Sequence, residues 1–327
     1  MDREREKKTL AKILRRGTGR QAFKELTGLE LQAAAPEDLS IPQVAFLNPC
    51  YDKPEPEMAN AYVELIDFTK RSGKARVFNG PTLRGSSVVH WTRNQLIAQL
   101  VRSGMEWTHV LFMDDDICPE PDALVKLLSH GKDIIGALCT RRKFPPIPVI
   151  RKLVGNGFQV IYKWPEPEGL LEVDGVGTGM MLISRPAINR IAQAYFACEY
   201  ERKYMGMSDE IARAWTKRRE EFVNESADAF WFRFLPAMDG AGEYGEDMAF
   251  CLLAKQVCGL SIWCDTSVHP QHVGTHGFSV KDFLPYRDAM IAKAKRQGRL
   301  RGPCDDPQLT EEDLVATPAQ EIIEVVG

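Results

Sequence analysis

The sequence predicts an α/β protein with a mostly parallel central sheet and helices on both faces, a three-layer α/β/α arrangement. Three observations predict it. Short apolar runs of strand length alternate with longer stretches that carry a helical apolar stripe. The run Val110-Leu111-Phe112-Met113 leads directly into Asp114-Asp115-Asp116, which is how a buried parallel strand ends when its carboxyl end lines a ligand crevice. No internal repeat interrupts the alternation.

The chain begins with a charged stretch, residues 1–40. Asp2 to Lys24 holds nine Lys/Arg against three Asp/Glu, with a weak helical stripe at Leu10, Ile13 and Leu14. It reads as an appended solvated or docking helix, with a nucleic-acid arm as the other reading. The main domain is expected over residues 41–278. Gln43-Val44-Ala45-Phe46-Leu47 is its first strand, and Asn48-Pro49-Cys50-Tyr51-Asp52 the turn at the strand's carboxyl end. Tyr51 there could stack on a base or simply pack the turn. Residues 57–72 form an amphipathic helix through Ala61, Tyr62, Leu65, Ile66 and Phe68. Ala75 to Phe78 is a second strand, stopped by Asn79-Gly80-Pro81. Gly85-Ser86-Ser87 leads into a helix near Val89 that is expected to bury Leu96, Ile97, Leu100 and Val101. Arg93 and Asn94 stand near its start, where a helix end attracts anions.

After the acidic run, Pro119-Glu120-Pro121 opens a helix with Ala123, Leu124, Leu127 and Leu128 inward, capped by Gly131. Asp133 to Leu138 is the next strand, ending at Arg141-Arg142-Lys143. That basic triplet has two readings, a phosphate contact or a wet loop. Phe158 to Tyr162 is strand-like, and 164–169 is a loop. Val173 to Ile183 reads as one strand pattern carrying Gly175, Gly177 and Gly179, positions where backbone or ligand approaches closely. It is no dinucleotide fingerprint, because it enters a strand rather than opening a helix. Pro186 starts a helix along Ile188, Ile191, Ala192, Tyr195 and Phe196. Residues 198–229 form a charged helical insert whose large anchors include Trp215 and Phe222. Phe230 to Phe234 is a strand or pocket wall. A glycine-rich loop, Met238 to Gly245, precedes Glu246-Asp247 at a helix start, where acidic residues complement the helix dipole and capping alone would account for them. Leu260 to Asp265 is the last strand. His269, His272 and His276 follow it. Residues 279–327 comprise a helix from about Val280 to Arg296 and a tail, Pro303 to Gly327, with seven Asp/Glu and no Lys or Arg.

Composition excludes several classes. At 327 residues and 44% hydrophobic, the chain is long enough for a real core. A net charge of −3 and a pI of about 6.1 give no global attraction to nucleic acid or membrane. No apolar run reaches the roughly 18 residues of a transmembrane helix, and the charged N-terminus has no signal-peptide pattern. Eight cysteines without a C-x-x-C pair point to reduced thiols and a cytoplasmic protein rather than to disulfides or a zinc site.

Three adjacent carboxylates repel one another, and a hard divalent cation relieves that repulsion. Mg²⁺ or Mn²⁺ suits oxygen ligands of this kind; a solvated acidic turn is the other reading. The order of motifs resembles the GT-A-fold glycosyltransferases, in particular family-2-like members, over about Ile41 to Gly277. Val110 to Asp116 is similar to their strand and D-x-D motif. Gly245-Glu246-Asp247 is similar to x-E-D, and Asp265 through His272-Val273-Gly274 to the late strand and metal-ligand histidine. Arg93-Asn94 and Gly177-Thr178-Gly179 fit the same pattern. Residues 1–40, 198–229 and the acidic tail lie outside it.

The resemblance implies a nucleoside-diphosphate sugar donor, an acceptor with a free hydroxyl and a Mn²⁺ or Mg²⁺ cofactor. It assigns the metal to Asp116 and His272, with Asp114 and His269 as fallbacks. Donor binding would fall to Asn48, Tyr51, Arg93, Asp114, Asp115, Gly177 and Gly179. In an inverting enzyme Asp247 would be the general base, with Glu246 as second choice. A haloacid-dehalogenase-like phosphatase also carries D-x-D at a strand end, but usually with Thr where Cys118 stands. A nucleotidyltransferase would need a glycine-rich basic loop in place of Asn48 to Lys53. A catalytically inactive sugar-nucleotide-binding protein would not need Asp114, Asp116, Glu246, Asp247 and His272 together. The acceptor is left open. Basic clusters at the N-terminus, at Arg141 to Lys143 and at Lys217 to Arg219 keep a nucleic-acid acceptor among the candidates.

Overall fold

Strand β3, His109–Met113, lies in the middle of a seven-stranded sheet and carries the acidic run at its carboxyl end. The structure is a computed structural model that describes residues 41–50, 54–81, 83–84, 88–155, 157–225, 230–236, 242–274 and 277–296. The basic segment 1–40, Tyr51, Gly85-Ser86-Ser87, most of the glycine-rich loop, His276 and the acidic tail lie outside the described residues. The other sheet strands are β1 (Gln43–Leu47), β2 (Arg76–Asn79), β4 (Ile134–Ala137), β5 (Leu170–Val173), β6 (Met180–Ser184) and β7 (Ile262–Asp265). Their order is β5-β7-β4-β6-β3-β1-β2. Strand β1 pairs in parallel with β2 and β3, and β4 with β7. Strand β6 runs antiparallel between β3 and β4, and β5 antiparallel along β7. Five of the seven strands therefore point the same way, as a mostly parallel sheet requires.

Alternation along β3 builds the layers. Val110 and Phe112 join one core cluster, Leu111 and Met113 the other, because successive strand side chains point to opposite faces. Helix α1 (Pro56–Ser72) covers the second face with Met58 and Leu65; helix α2 (Val89–Arg102) covers the first with Leu96, Ile97 and Leu100. Each such side chain contributes roughly 1.5–3 kcal/mol on full burial. Helix α1 starts with Pro56 in its first turn and ends at Gly73, whose φ of +64° lets its N–H reach the Lys70 carbonyl at 3.2 Å. Helix α3 (Ala123–Ser129) buries Ala123, Leu124 and Leu127 and begins just after the two prolines. Helix α4 (Arg185–Phe196) is capped by Ser184, whose hydroxyl accepts the Ala187 N–H at 3.2 Å. The insert forms α5 (Glu199–Tyr204) and α6 (Asp209–Glu225), and α7 (Glu246–Leu252) runs on as a π-helical turn, Leu253–Val257. Helix α8 (Val280–Arg296) sinks Val280 and Phe283 into the main core beside Tyr162 and Trp164.

Four expectations need correction. Val101 is 51% exposed, because it lies a quarter-turn outside the α2 stripe. Trp215 is 50% exposed and packs over Arg219 rather than anchoring the insert. Of the two readings of Phe230 to Phe234 the strand fails and the pocket wall stands: Phe230 and Arg233 line a small cavity with Tyr195 and Tyr200, Trp231 and Phe232 are buried, and the Phe232 backbone is held at N–H and carbonyl by the Asn94 amide at 2.9 and 2.7 Å. The run Val173 to Ile183 is three strands rather than one: the end of β5, then Gly175–Val176, then β6. The middle piece joins Ile150–Val154 and Gly157–Val160 in a separate antiparallel sheet. The strand Ile150–Val154 has no counterpart in the sequence reading. Among the described residues no helix is long and apolar enough to cross a membrane, and all seven described cysteines are free.

Candidate active site

The short strand Ile117–Cys118, just past the acidic run, pairs antiparallel with Gln271–His272, so that His272 faces Ile117. The Val273 N–H also reaches the Asp116 carbonyl at 2.8 Å. This pairing sets the His272 Nε2 3.0 Å from Asp116 Oδ2. On its other side the ring's Nδ1 lies 2.8 Å from the Thr140 carbonyl. A carbonyl only accepts, so Nδ1 carries a proton; the bond to the Asp116 carboxylate then needs a second proton on Nε2, and the neutral ring would leave the Nε2 lone pair for a cation. Metal-binding histidines are oriented in this way by an acceptor on the other ring nitrogen. In the cation-free protein, burial by itself would lower the His272 pKa, but the hydrogen bonds with Asp116 and Thr140 outweigh it and the pKa is raised.

This pair fits a hard divalent cation. Ligands about 2.1 Å from a metal on adjacent octahedral corners stand about 3.0 Å apart, the separation of His272 and Asp116. Among the described residues no group of three or more His, Cys, Asp or Glu gathers around a cation position. The remaining corners would fall to water and ligand oxygens, the usual arrangement for such ions at phosphate sites.

Arg93 joins a second carboxylate pair to Asp114 of the acidic run. Its guanidinium donates to Asp114 Oδ1 at 2.7 Å and to Glu246 Oε1 at 3.1 Å, while the side chain is only 2% exposed. Arg93 therefore lies beneath the site, inside the first turns of α2, with its fork engaged by two carboxylates. Its Nε has no hydrogen-bond partner among the described residues. Burial would lower the Arg93 pKa, yet Asp114 and Glu246 hold it above the usual value. Partial burial raises the Asp114 pKa more than Arg93 lowers it.

Glu246 and Asp247 occupy the first turn of α7, with Gly245 at the cap position. Burial, then the neighbouring Glu246 charge, push the Asp247 carboxyl above the usual range; the Met248 N–H at 2.8 Å and the charges of Arg93 and Arg151 pull the other way. A carboxylate with raised proton affinity is a better base near neutrality. The turn is held close to the Gly175–Val176 strand. A Cβ on Gly175 would stand 2.6 Å from the Met248 sulfur.

The other sequence-predicted residues distribute as follows. Asn48 donates its amide to the Met113 carbonyl at 2.8 Å, beside the acidic run. The Asp115 carbonyl accepts the Glu55 N–H at 2.9 Å ahead of α1. Gly179 accepts the Asp114 N–H at 2.9 Å, and Val149 and Ile117 fill the space that side chains on Gly177 and Gly179 would need. The crowding is a clash at Gly177, 2.8 Å from Val149, and a tighter-than-usual contact at Gly179, 3.3 Å from Ile117. His269 contacts the Thr266 carbonyl and Glu168, at 3.3 Å from the latter, so it is His272 that meets the acidic run. Tyr51 lies outside the described residues.

Two further basic residues stand at or near the site. Arg142, from the basic triplet, donates to Asp116 Oδ2 at 2.7 Å. Arg151, 7% exposed, donates to the Pro148 and Ile150 carbonyls, and burial lowers its pKa to about 10. The triplet's two readings, phosphate contact or wet loop, did not include a bond to Asp116; Arg151 sits in the strand that carried no clear signal.

No protein-family model matches the chain, and no curated protein does. Solved structures with likeness include A197 from STIV, at 14% identity over 72% of this chain and 86% of that one, with a TM-score of 0.34. Another is a glycosyltransferase involved in the glycosylation of the major capsid of PBCV-1, at 11% identity over 45% of this chain and 63% of that one, TM-score 0.26. A third is the nucleoside-diphosphate-sugar pyrophosphorylase from Vibrio cholerae RC9, at 10% identity over 68% and 91% respectively, TM-score 0.30.

Proposed function

We propose that the chain is a metal-dependent glycosyltransferase of GT-A type, moving a sugar from a nucleoside-diphosphate donor to an acceptor hydroxyl in the cytoplasm. The observation that carries this reading is one buried arginine that bonds both the acidic run beside the cation-type pair and the turn that holds the base-type pair. Asp116 and His272 form the first, Glu246 and Asp247 the second, and Arg93 bonds Asp114 on one side and Glu246 on the other.

Asp116 and His272 would hold Mn²⁺ or Mg²⁺, which when bound supplies positive charge beside the leaving diphosphate. Asp114, with one oxygen fixed by Arg93, keeps the other for a ribose or sugar hydroxyl of the donor. Asp247 takes the proton from the acceptor hydroxyl as it attacks the anomeric carbon, the role of a general base in an inverting transfer. Glu246, held by Arg93, supports that turn. A dehalogenase-like phosphatase is less well served: its nucleophile would be Asp114, already engaged by Arg93, and Cys118 occupies the usual threonine position with its thiol pushed up to about 11 by burial.

The test is ligand-induced thermal stabilisation with a panel of sugar nucleotides and nucleoside diphosphates, with and without Mn²⁺. Ligand at 100 times its Kd stabilises by about 2.7 kcal/mol. Stabilisation is expected only with Mn²⁺ and is expected to vanish in a folded Asp116→Ala variant. Stabilisation that ignores both Mn²⁺ and Asp116 would overturn the proposal.

A further inference from the structure

We infer that Arg142 is a diphosphate-binding residue that rests on Asp116 until donor and cation arrive, so that the two bind cooperatively. The inference builds on the proposed cation site. Arg142 Nη1 and His272 Nε2 meet the same oxygen, Asp116 Oδ2, at 2.7 and 3.0 Å. A divalent cation on that oxygen would stand beside the guanidinium, and like charges so close in a partly buried site repel strongly. Cation and guanidinium therefore compete for Asp116.

Arg142 is built to leave. Its side chain is 51% exposed, and among the described residues its guanidinium donates to Asp116. Its stem passes over Gly274, where an added Cβ would stand 3.1 Å from Arg142 Cδ. The bare glycine keeps that lane open. Once displaced, the guanidinium needs another anion, and a diphosphate presents the oxygen pairs that its planar fork matches. The nucleotide thus receives the arginine that the cation expels. Each ligand favours the other, and the coupling is reciprocal.

The experiment is Mn²⁺ binding by calorimetry and by the electron paramagnetic resonance signal of free Mn²⁺, with and without a nucleoside diphosphate. Wild type is compared with Arg142→Gln, Gly274→Ala and Asp116→Asn. Arg142→Gln is expected to bind Mn²⁺ alone about three- to tenfold more tightly, the scale of a half-exposed ion pair. It is expected to bind diphosphate in the presence of Mn²⁺ about tenfold more weakly, the scale of one charge-assisted contact. Gly274→Ala, which crowds the arginine off Asp116, should also tighten Mn²⁺ binding. Unchanged Mn²⁺ affinity in Arg142→Gln, while Asp116→Asn loses binding, overturns the competition and leaves the cation site standing. Tighter Mn²⁺ binding with unchanged diphosphate affinity overturns the diphosphate role. Wild type that binds no Mn²⁺ even with nucleotide overturns the underlying site reading instead.

Discussion

His272 donates its Nδ1–H to the Thr140 carbonyl at 2.8 Å while presenting Nε2 to Asp116 at 3.0 Å. The backbone of one loop thus selects the ring form that the acidic run of another meets. Without a cation, the proton held between Nε2 and Asp116 keeps the His272 pKa raised despite burial. A raised pKa stabilises the fold fully below the unfolded imidazole value of about 6.5, and that contribution is lost as pH climbs through the folded value. Cation binding runs the other way, because it needs the neutral ring. Mn²⁺ affinity should therefore rise with pH by up to about tenfold per unit over this window, as a proton is displaced. Isotherms between about pH 6 and pH 8 check this. A His272→Gln variant should bind more weakly and lose the slope; a slope that persists in it assigns the proton elsewhere.

Arg93 should be a large single contributor to stability near the site. Replacing it with Met leaves Asp114 and Glu246 facing each other without their cation. Breaking a buried pair costs about 3–5 kcal/mol. Asp114 and Glu246 are 28% and 19% exposed, so water recovers part of that and a loss of about 2–3 kcal/mol is expected. Urea unfolding measures it. Arg93→Lys should recover only part, since one ammonium cannot span both carboxylates. A cost below about 0.5 kcal/mol would place the pair among ordinary surface bridges.

Much of the fold was legible because β1, β3, β4 and β7 are runs buried on both faces, and such runs announce themselves without knowledge of their partners. Ile150–Val154 was not legible: Arg151 and Lys152 break its apolar pattern, and it becomes a strand only against Gly157–Val160 and Gly175–Val176. Phe230 to Phe234 misled for a related reason. Its aromatic content suggests a strand, yet its backbone bonds go to the side chain of Asn94, 138 positions away. At the site, motif order picked out Asp116 and His272. Thr140 and Arg142 complete their surroundings through loop pairing, which leaves no periodic mark. The place of Arg93 near a helix start suggests an anion contact; its burial and its two carboxylate partners depend on how α2 packs against α7.

Gly175 tests whether packing or ligand approach demands a glycine. Its absent Cβ would stand 2.6 Å from the Met248 sulfur and 3.2 Å from a Phe158 ring carbon. Gly175→Ala should cost about 1–3 kcal/mol by overpacking and should slow turnover by shifting the start of α7. Because the thioether is the nearest obstacle, Met248→Ala in the same chain should restore most of the melting temperature. Failure of that rescue would leave the Phe158 ring, 3.2 Å away, as the obstacle that requires glycine.

Asp247 separates catalysis from capping. Its carboxyl is pushed up by burial and by Glu246, so the acid limb of the turnover–pH profile should lie above the ordinary aspartate range. Sign matters for stability too: a raised carboxyl pKa means that ionised Asp247 destabilises the fold, and its replacement by Asn should leave the melting temperature equal or higher at neutral pH. Turnover should nevertheless fall by about 10²–10⁴, the typical loss of a general base, with Mn²⁺-dependent donor binding retained. Glu246→Gln should behave in the opposite way. It weakens the Arg93 contact at 3.1 Å, so it should lower the melting temperature while reducing turnover less. A cap-only role predicts near-normal turnover for Asp247→Asn, because Asn also accepts N–H bonds at a helix start. Turnover, donor affinity and melting temperature measured on these two variants therefore divide the roles, and near-normal turnover in Asp247→Asn rules out the base.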